Sequence, residues 1–92
     1  MNYTFATVII KLEDKQAAQT DLGTGFFTTE LSTDSTGPAT HLMSSGPFDN
    51  AELDLVVNSV TWAKKVYFGN DWQSALLSEG LVLKDNTSEV NT

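Results

Sequence analysis

The sequence predicts an α+β fold: a four-stranded antiparallel sheet with helices on one face. Three observations lead to this prediction. The run from Tyr3 to Leu12 is apolar on both faces of a strand, which is typical of the centre of a sheet. The stretch from Asp21 to Phe48 holds four of the six glycines and both prolines, as expected for a hairpin with flanking turns. Asp49 followed by Glu52 has the spacing of a helix N-cap.

The first strand, Tyr3 to Leu12, has apolar or small side chains at odd and even positions alike. Because both of its faces must be buried, we expect it to be central, with a neighbour on each edge and cover above and below. A short helix is predicted from Glu13 to Thr20, where good helix formers follow Asp14 as a candidate N-cap. Gly23 or Gly25 is expected to end this helix.

Two strands are predicted after the short helix. One holds Phe26, Phe27 and Leu31 among threonines, and the other runs from Ala39 to Ser45. The polar segment 32–38 between them is short, so the simplest pairing is an antiparallel hairpin that also pairs with the first strand. If the strand over 39–45 is exposed at an edge, it could add a partner strand, or a copy of itself, to the sheet.

The clearest local signal follows the hairpin. Asp49 can accept a backbone N–H while Glu52 reaches back, and Phe48 and Leu53 stand in the positions of a hydrophobic staple. A helix that starts at Asn50 carries one apolar stripe, which we interpret as a core face rather than a cofactor site. The members of this stripe are Leu53, Val56, Val57, Val60 and Ala63, with Tyr67 continuing it.

The end of this helix can be placed in two ways. Apolar side chains alternate at Val60, Trp62, Val66 and Phe68, which fits a strand, although Lys64 interrupts the alternation. We expect one continuous helix to about Phe68. The segment from 60 to 68 is therefore the point on which the strand count depends.

The chain then returns to the sheet. Gly69 is expected to end the long helix, Asn70 or Asp71 to cap a second short helix, and Gly80 to end that helix. Leu81 to Leu83 form a final strand. The order of strand, short helix, strand, strand, helix, short helix and strand matches a ferredoxin-like split βαβ arrangement, the leading candidate among several α+β folds.

Length and composition indicate one small domain. The chain has 92 residues, and we assign 1–84 to a single α+β domain and 85–92 to a polar, frayed C-terminal tail. Cysteine is absent, which excludes disulfides, zinc ribbons and thiol catalysis. No secretory leader and no apolar run of about 20 residues is visible, so we expect a soluble protein, either cytoplasmic or associated with a larger particle.

The charge balance narrows the classes of partner. The formal net charge is −7, from twelve acidic residues against five lysines, and arginine is absent. An acidic surface repels the nucleic-acid backbone and anionic lipids, and no guanidinium is present to clamp a phosphate. We therefore expect no direct nucleic-acid binding and no membrane attachment. The charge favours a basic protein partner, or serves solubility alone.

Catalytic and cofactor chemistry is not predicted. His41 is the only histidine, and on a strand it stands two side-chain steps from Ser45, too far for a direct hydrogen bond. No nucleophile-elbow pattern is present, so we expect no enzyme activity and no catalytic residue. Asp49, Glu52 and Asp54 lack the ligand spacing of a calcium loop, and with a single histidine a zinc site is not expected. No cofactor is predicted.

Aromatic residues give the best candidates for a partner-binding surface. Trp62, Tyr67 and Trp72 lie close together in sequence, beside Lys65, and tryptophan and tyrosine are enriched at the centres of protein interfaces. They could instead complete a small core. The acidic residues Asp49, Glu52 and Asp54 complete the candidate partner-binding set.

The segment from Leu22 to Gly46, with the pattern LG.GFF…LS…GPATH…SSG, resembles a pattern in small uncharacterised accessory proteins of tailed phages and prophages. The resemblance covers about a third of the chain and implies a viral origin, without catalytic residues to transfer.

From these observations we expect a non-catalytic, phage-encoded protein-binding module that binds and blocks a host protein such as a defence complex. A minor structural protein of the virion, whose copies pair through a sheet edge and the tail, is an alternative. A further alternative is an acidic mimic of nucleic acid, which rests on charge alone.

Overall fold

A computed structural model describes residues 2–59 and 61–84; Val60 and the tail expected at 85–92 lie outside the described residues. The described chain forms five strands and three helices, with a 3-10 turn at Leu12–Asp14 before the first helix. In chain order these elements are β1 (Tyr3–Lys11), α1 (Lys15–Leu22), β2 (Thr29–Ser32), β3 (His41–Asp49), α2 (Asn50–Asn58), β4 (Lys64–Phe68), α3 (Trp72–Glu79) and β5 (Val82–Leu83).

The strands form one antiparallel sheet in the order β4-β1-β3-β2-β5. This arrangement confirms the predicted α+β class and the central position of β1, which pairs with β3 on one side and β4 on the other. The predicted count of four strands is wrong, because the described chain has five. The edge predicted for 39–45 is also wrong over residues 41–43, where β3 is paired both to β1 and to β2.

The additional strand is β4, in the segment for which we predicted a helix. The α2 helix ends at Asn58, and the next residue, Ser59, is extended and donates its N–H to the Leu55 carbonyl at 3.0 Å. The chain then continues into β4 rather than to Phe68 as helix. The alternating apolar pattern was the better guide for this segment, because the outer edge of β1 needs a partner for its backbone groups.

Both faces of the sheet are covered, so the prediction of helices on one face only is wrong. Ala6, Val8 and Ile10 point to the α1/α2 face and pack in one core with residues of both helices. Ile9 lies between these residues on the strand and points to the opposite face, which α3 covers and which we call the α3 face. There it belongs to a second core. That core also contains Leu31, Met43, Ala75, Leu76 and Leu81.

The start of α2 is as the sequence predicts. Asp49 Oδ1 accepts the Glu52 N–H at 2.8 Å, and Glu52 Oε1 accepts the Asp49 N–H at 3.0 Å, which completes the capping box. Phe48 is buried and Leu53 packs against the same core. The apolar stripe is only partly confirmed, because Val56 is buried whereas Val57 is 51% exposed.

Three of the other predicted helix boundaries are confirmed and one cap is different. Gly23 follows α1, and Asp71 caps α3 by accepting the Ser74 N–H at 3.1 Å. Gly80 ends α3 with φ of 70°, in the left-handed region that glycine adopts without steric cost. Asp14 precedes α1 but makes no side-chain cap; its Oδ2 accepts the Ala63 N–H at 3.3 Å.

The second strand is shorter than the sequence suggests. Phe26 and Phe27 precede β2 instead of belonging to it, and Phe27 is buried on the α1/α2 face. Their rings meet edge to face at 5.1 Å, and Phe26 meets Phe48 in the same way at 5.3 Å. The two phenylalanines therefore fill core volume between the helices and the sheet.

Within the described part of the chain, every helix is too short or too polar to cross a lipid bilayer.

The capping box makes a stability prediction. Asp49→Ala removes the side chain that accepts the Glu52 N–H, and we expect a loss of about 1 kcal/mol in the free energy of unfolding, the usual cost of losing an N-cap. Urea denaturation measures this loss. Asp54→Ala is the matched control, because it removes the same charge from the same helix but only a bond from Asn58. Equal losses in the two variants would contradict the assignment.

Candidate partner-binding edge

The β4 strand lies at one edge of the sheet, and among the described strands only β1 pairs with it. Gly69 donates its N–H to the Phe5 carbonyl at 2.8 Å, just beyond β4. Antiparallel pairing alternates, so Tyr67 and Lys65 also direct their backbone groups toward β1. Val66, opposite Val8 in the register, directs its N–H and C=O outward.

The hydrogen bonds on the other side of β1 indicate the same alternation of inward and outward backbone groups. Leu12 donates its N–H to the Thr40 carbonyl at 3.0 Å, which shows that the even residues of β1 bond toward β3. Val8 is one of these residues and does not bond toward β4. The outer side of β4 therefore offers the backbone groups of Lys64, Val66 and Phe68 to an additional strand.

Two aromatic side chains flank this edge and are largely exposed. Phe68, on the α1/α2 face, is 63% exposed, and Phe5, on the neighbouring strand and the α3 face, is 48% exposed. Neither was among the residues that we selected from the sequence. The sequence did contain a signal for Phe68. If residues 64–68 form a strand, that strand ends on this aromatic residue, next to Gly69.

Trp62, in contrast, is a core residue that holds the approach to β4. Its side chain is 4% exposed, its ring meets Phe27 edge to face at 5.9 Å, and its Nε1–H donates to Asp21 Oδ2 at 2.8 Å. This bond ties the loop before β4 to the end of α1. Among the roles open to Trp62 from the sequence, the structure places it in the core.

The Lys64 side chain also belongs to this loop. Its Nζ donates to the Ser59 carbonyl at 2.6 Å and lies 5.3 Å from the centroid of the Trp62 ring. An ammonium over the face of an indole is attracted by the ring quadrupole. The bond and the ring contact together fix the chain direction between α2 and β4.

Tyr67 and Trp72 lie on the α3 face, on the other side of the sheet from Trp62, where both pack against the second core. The three aromatic residues of the predicted cluster are thus divided between two cores. The Tyr67 hydroxyl donates to the Glu79 carboxylate, and this bond, with burial and the nearby negative charge, raises the pKa of Tyr67 above its usual value of 10.0. Lys65 is exposed beside them on the same face.

The acidic members of the predicted set lie around α2. Asp49 and Glu52 are occupied by the capping box described above, and Asp54 accepts a bond from Asn58 Nδ2 at 2.6 Å. A shallow cleft joins Asp54 to Asp21, between the ends of α2 and α1. The acidic groups are thus on the α1/α2 side of the sheet, away from Lys65 and Tyr67.

His41 lies on the α3 face, opposite Lys11. Its Nδ1 and the Thr40 hydroxyl are hydrogen-bonded at 2.8 Å, while Ser45 shares a 2.9 Å bond with Thr7. Histidine and serine therefore have separate partners. Within the described residues, no group of three or more histidine and acidic side chains is placed to hold a metal ion.

Comparisons with protein-family models, with curated proteins and with solved structures gave no match to this chain.

The bond between Trp62 and Asp21 makes a second stability prediction. Because the acceptor is a carboxylate and the donor is buried, we expect a double-mutant cycle of Trp62→Phe and Asp21→Ala to give a coupling energy of about 1 kcal/mol. The comparison is Thr61→Ala with Asp21→Ala, since Thr61 reaches the same oxygen at 3.4 Å. A Trp62 coupling no larger than that of Thr61 would show that the indole bond does not hold the loop.

The raised pKa of Tyr67 makes a spectroscopic prediction. In a Tyr3→Phe background Tyr67 is the only tyrosine, and its ultraviolet titration should have a midpoint above that of the same protein in urea. Glu79→Gln should lower the midpoint. Because the folded pKa lies above the unfolded one, the stabilisation is fully present below the unfolded pKa and is lost as the pH rises through the folded pKa. A midpoint unchanged by Glu79→Gln would show that the hydrogen bond to Glu79 does not raise the pKa of Tyr67.

Proposed function

We propose that this chain is a non-catalytic protein-binding module that receives an extended strand of its partner along β4. The main support for the proposal is the direction of the backbone groups on β4, because Val66 directs its N–H and C=O away from the sheet. A strand added there would gain main-chain hydrogen bonds, and side-chain contacts would set its specificity.

The side chains near the edge suit such a contact. Phe68 and Phe5 expose aromatic surface on opposite faces of the sheet at the end of β4, so an added strand could place apolar residues against both. Lys65 lies on β4 itself. Tyr67 and Trp72 support the strand from the α3 face. Trp62 and Lys64 hold its start from the other face, so the edge is presented on a rigid base.

The proposed partner is a protein of the host that this chain binds and blocks, such as a defence complex. Support for a phage origin comes from the resemblance of the segment from Leu22 to Gly46, and support for a protein partner comes from the net charge of −7 together with the open edge. On this proposal the protein acts in the cytoplasm of the infected cell by occupying a surface.

A structural role in the virion is the second candidate, and the same edge favours it. Two copies of β4 could pair antiparallel about Val66, which would place Lys64 of one copy opposite Phe68 of the other and keep the lysines apart. This candidate predicts a dimer in solution, whereas a host-directed inhibitor would be a monomer of 10.0 kDa. Sizing at micromolar concentration separates them.

We also propose that β1 to β4 with α1 and α2 form a ferredoxin-like split βαβ unit. The order β4-β1-β3-β2 and the antiparallel pairing support this proposal, as do α1 and α2 on one face. In that case α3 and β5 are an extension that covers the other face. The β4 edge would then be the edge of the unit that the extension leaves open.

The edge proposal predicts that Val66→Pro abolishes partner binding and leaves the fold intact. Proline removes the outward N–H of Val66 but no bond to β1, and proline is tolerated on edge strands for this reason. Val66→Ala is the matched control, because it loses the side chain and keeps the N–H. The measurement is a pull-down from a bacterial host lysate, with near-ultraviolet circular dichroism to confirm folding.

We expect wild-type protein and Val66→Ala to recover one stoichiometric protein, and Val66→Pro to recover none of it. A Val66→Pro variant that binds normally would show that the partner does not use the edge. Recovery of no partner by the wild type, together with detection of the chain in purified particles by mass spectrometry, would instead select the structural role.

A further inference from the structure

A pocket on the α3 face collects much of the positive charge of this acidic protein. It has a volume of about 150 Å³ and is lined by Lys11, His41, Lys65 and Glu79 together with Ile9, Ala63 and Lys64. A volume of this size is many times what a single water requires. It can therefore hold a group of several heavy atoms.

The sheet register explains why these side chains meet. Lys11 and His41 are directly opposite each other on β1 and β3, and Lys65 on β4 is opposite Ile9. Residues two apart on a strand share a face, so Ile9 and Lys11 place all three polar side chains on the α3 face. Glu79, at the end of α3, also lines the pocket.

Not every lysine at the pocket is available to a ligand. Lys64 offers no free ammonium group, because its Nζ donates to the Ser59 carbonyl on the other face. Lys11 and Lys65 are exposed, and His41 uses Nδ1 in its bond to Thr40, which leaves Nε2. Lys11, Lys65 and His41 thus line the same space.

The charges around His41 come from all the elements packed near it. Lys11 faces it from β1 and Lys65 from β4, while Glu79 approaches from α3 and Glu13 from the turn after β1. The Glu79 carboxylate already accepts a hydrogen bond from Tyr67. Lys11 and Lys65 are diagonal neighbours on adjacent strands, and an anion between two such ammonium groups offsets their repulsion.

We propose that this pocket binds a small divalent oxyanion of the phosphate or sulfate type, held by the ammonium groups of Lys11 and Lys65 and by Nε2 of His41. Lysine ammonium groups bind such anions as point charges, without the planar fork that arginine brings to carboxylates. The Nε2–H of His41 adds a third donor. The pocket lies on the α3 face rather than on the outer side of β4, so this inference does not depend on the proposed edge contact.

The test uses sulfate at pH 7, because sulfate is a full dianion there. The full-length chain is titrated with sodium sulfate against sodium chloride of equal ionic strength, and the imidazole resonances of the only histidine are followed by NMR. We expect saturable shifts with sulfate, and weaker sulfate binding by His41→Gln, which is followed by its backbone amides.

Lysine variants test the pocket itself. Lys11→Ala and Lys65→Ala should each weaken sulfate binding about fivefold or more, as expected for loss of one charge-assisted contact. Lys15 is exposed on α1, away from the pocket. Lys15→Ala therefore removes the same charge and should leave the affinity for sulfate unchanged. Glu79→Gln removes the acid at the rim and should strengthen binding. Phosphoserine in place of sulfate then separates a site for the free ion from one for a phosphate monoester, which would bind more tightly.

Three results would overturn the proposal. The first is a sulfate response that does not saturate or that chloride reproduces at equal ionic strength. The second is an equal loss of affinity in Lys15→Ala and Lys65→Ala, which would indicate general charge attraction. The third is wild-type binding by the Lys11→Ala, Lys65→Ala double variant, with its fold confirmed by the dispersion of its amide resonances.

Discussion

The fold depends on a strand whose two faces and two edges must all be covered. From Ala6 to Ile10, every side chain of β1 is buried, and successive side chains point to opposite faces of the sheet. Such a strand leaves neither its side chains nor its backbone groups to water. The α1/α2 pair covers one face and α3 the other, while β3 and β4 pair with the two edges.

The need to cover the outer edge of β1 also determines the path of the chain after α2. To reach the outer edge of β1, the chain must leave α2 and turn back, and the turn is held by contacts between residues far apart in sequence. Trp62 bonds to Asp21, Ala63 to Asp14, and Lys64 spans the turn itself by reaching Ser59. Trp62, one of the three aromatic candidates for the interface, is therefore part of this connection, and the candidate interface is the β4 strand that follows it.

The two proposed sites occupy different parts of the same sheet. The β4 edge offers backbone groups in the plane of the sheet, whereas the oxyanion pocket opens on the α3 face, between the ends of β1, β3 and β4 and the end of α3. Lys65 lies on the edge strand and lines the pocket, but its backbone bonds toward β1 and is not offered to an added strand. Charge is separated in a similar way, with Lys11 and Lys65 on the α3 face and Asp21 and Asp54 on the α1/α2 side.

Local signals in the sequence determined several features that the structure confirms. The two-sided apolar pattern specified a central β1, the spacing of Asp49 and Glu52 specified the start of α2, and Gly80 specified the end of α3. Each depends on residues within a few positions of one another, so sequence alone can specify it. The segment 64–68 was different, because its pattern allowed either helix or strand. The free edge of β1 decided in favour of a strand, and the chain reaches that edge only in the folded state. The same holds for both candidate sites: Val66 became an edge residue, and Lys11, His41 and Lys65 became neighbours, only when the register was set between distant strands.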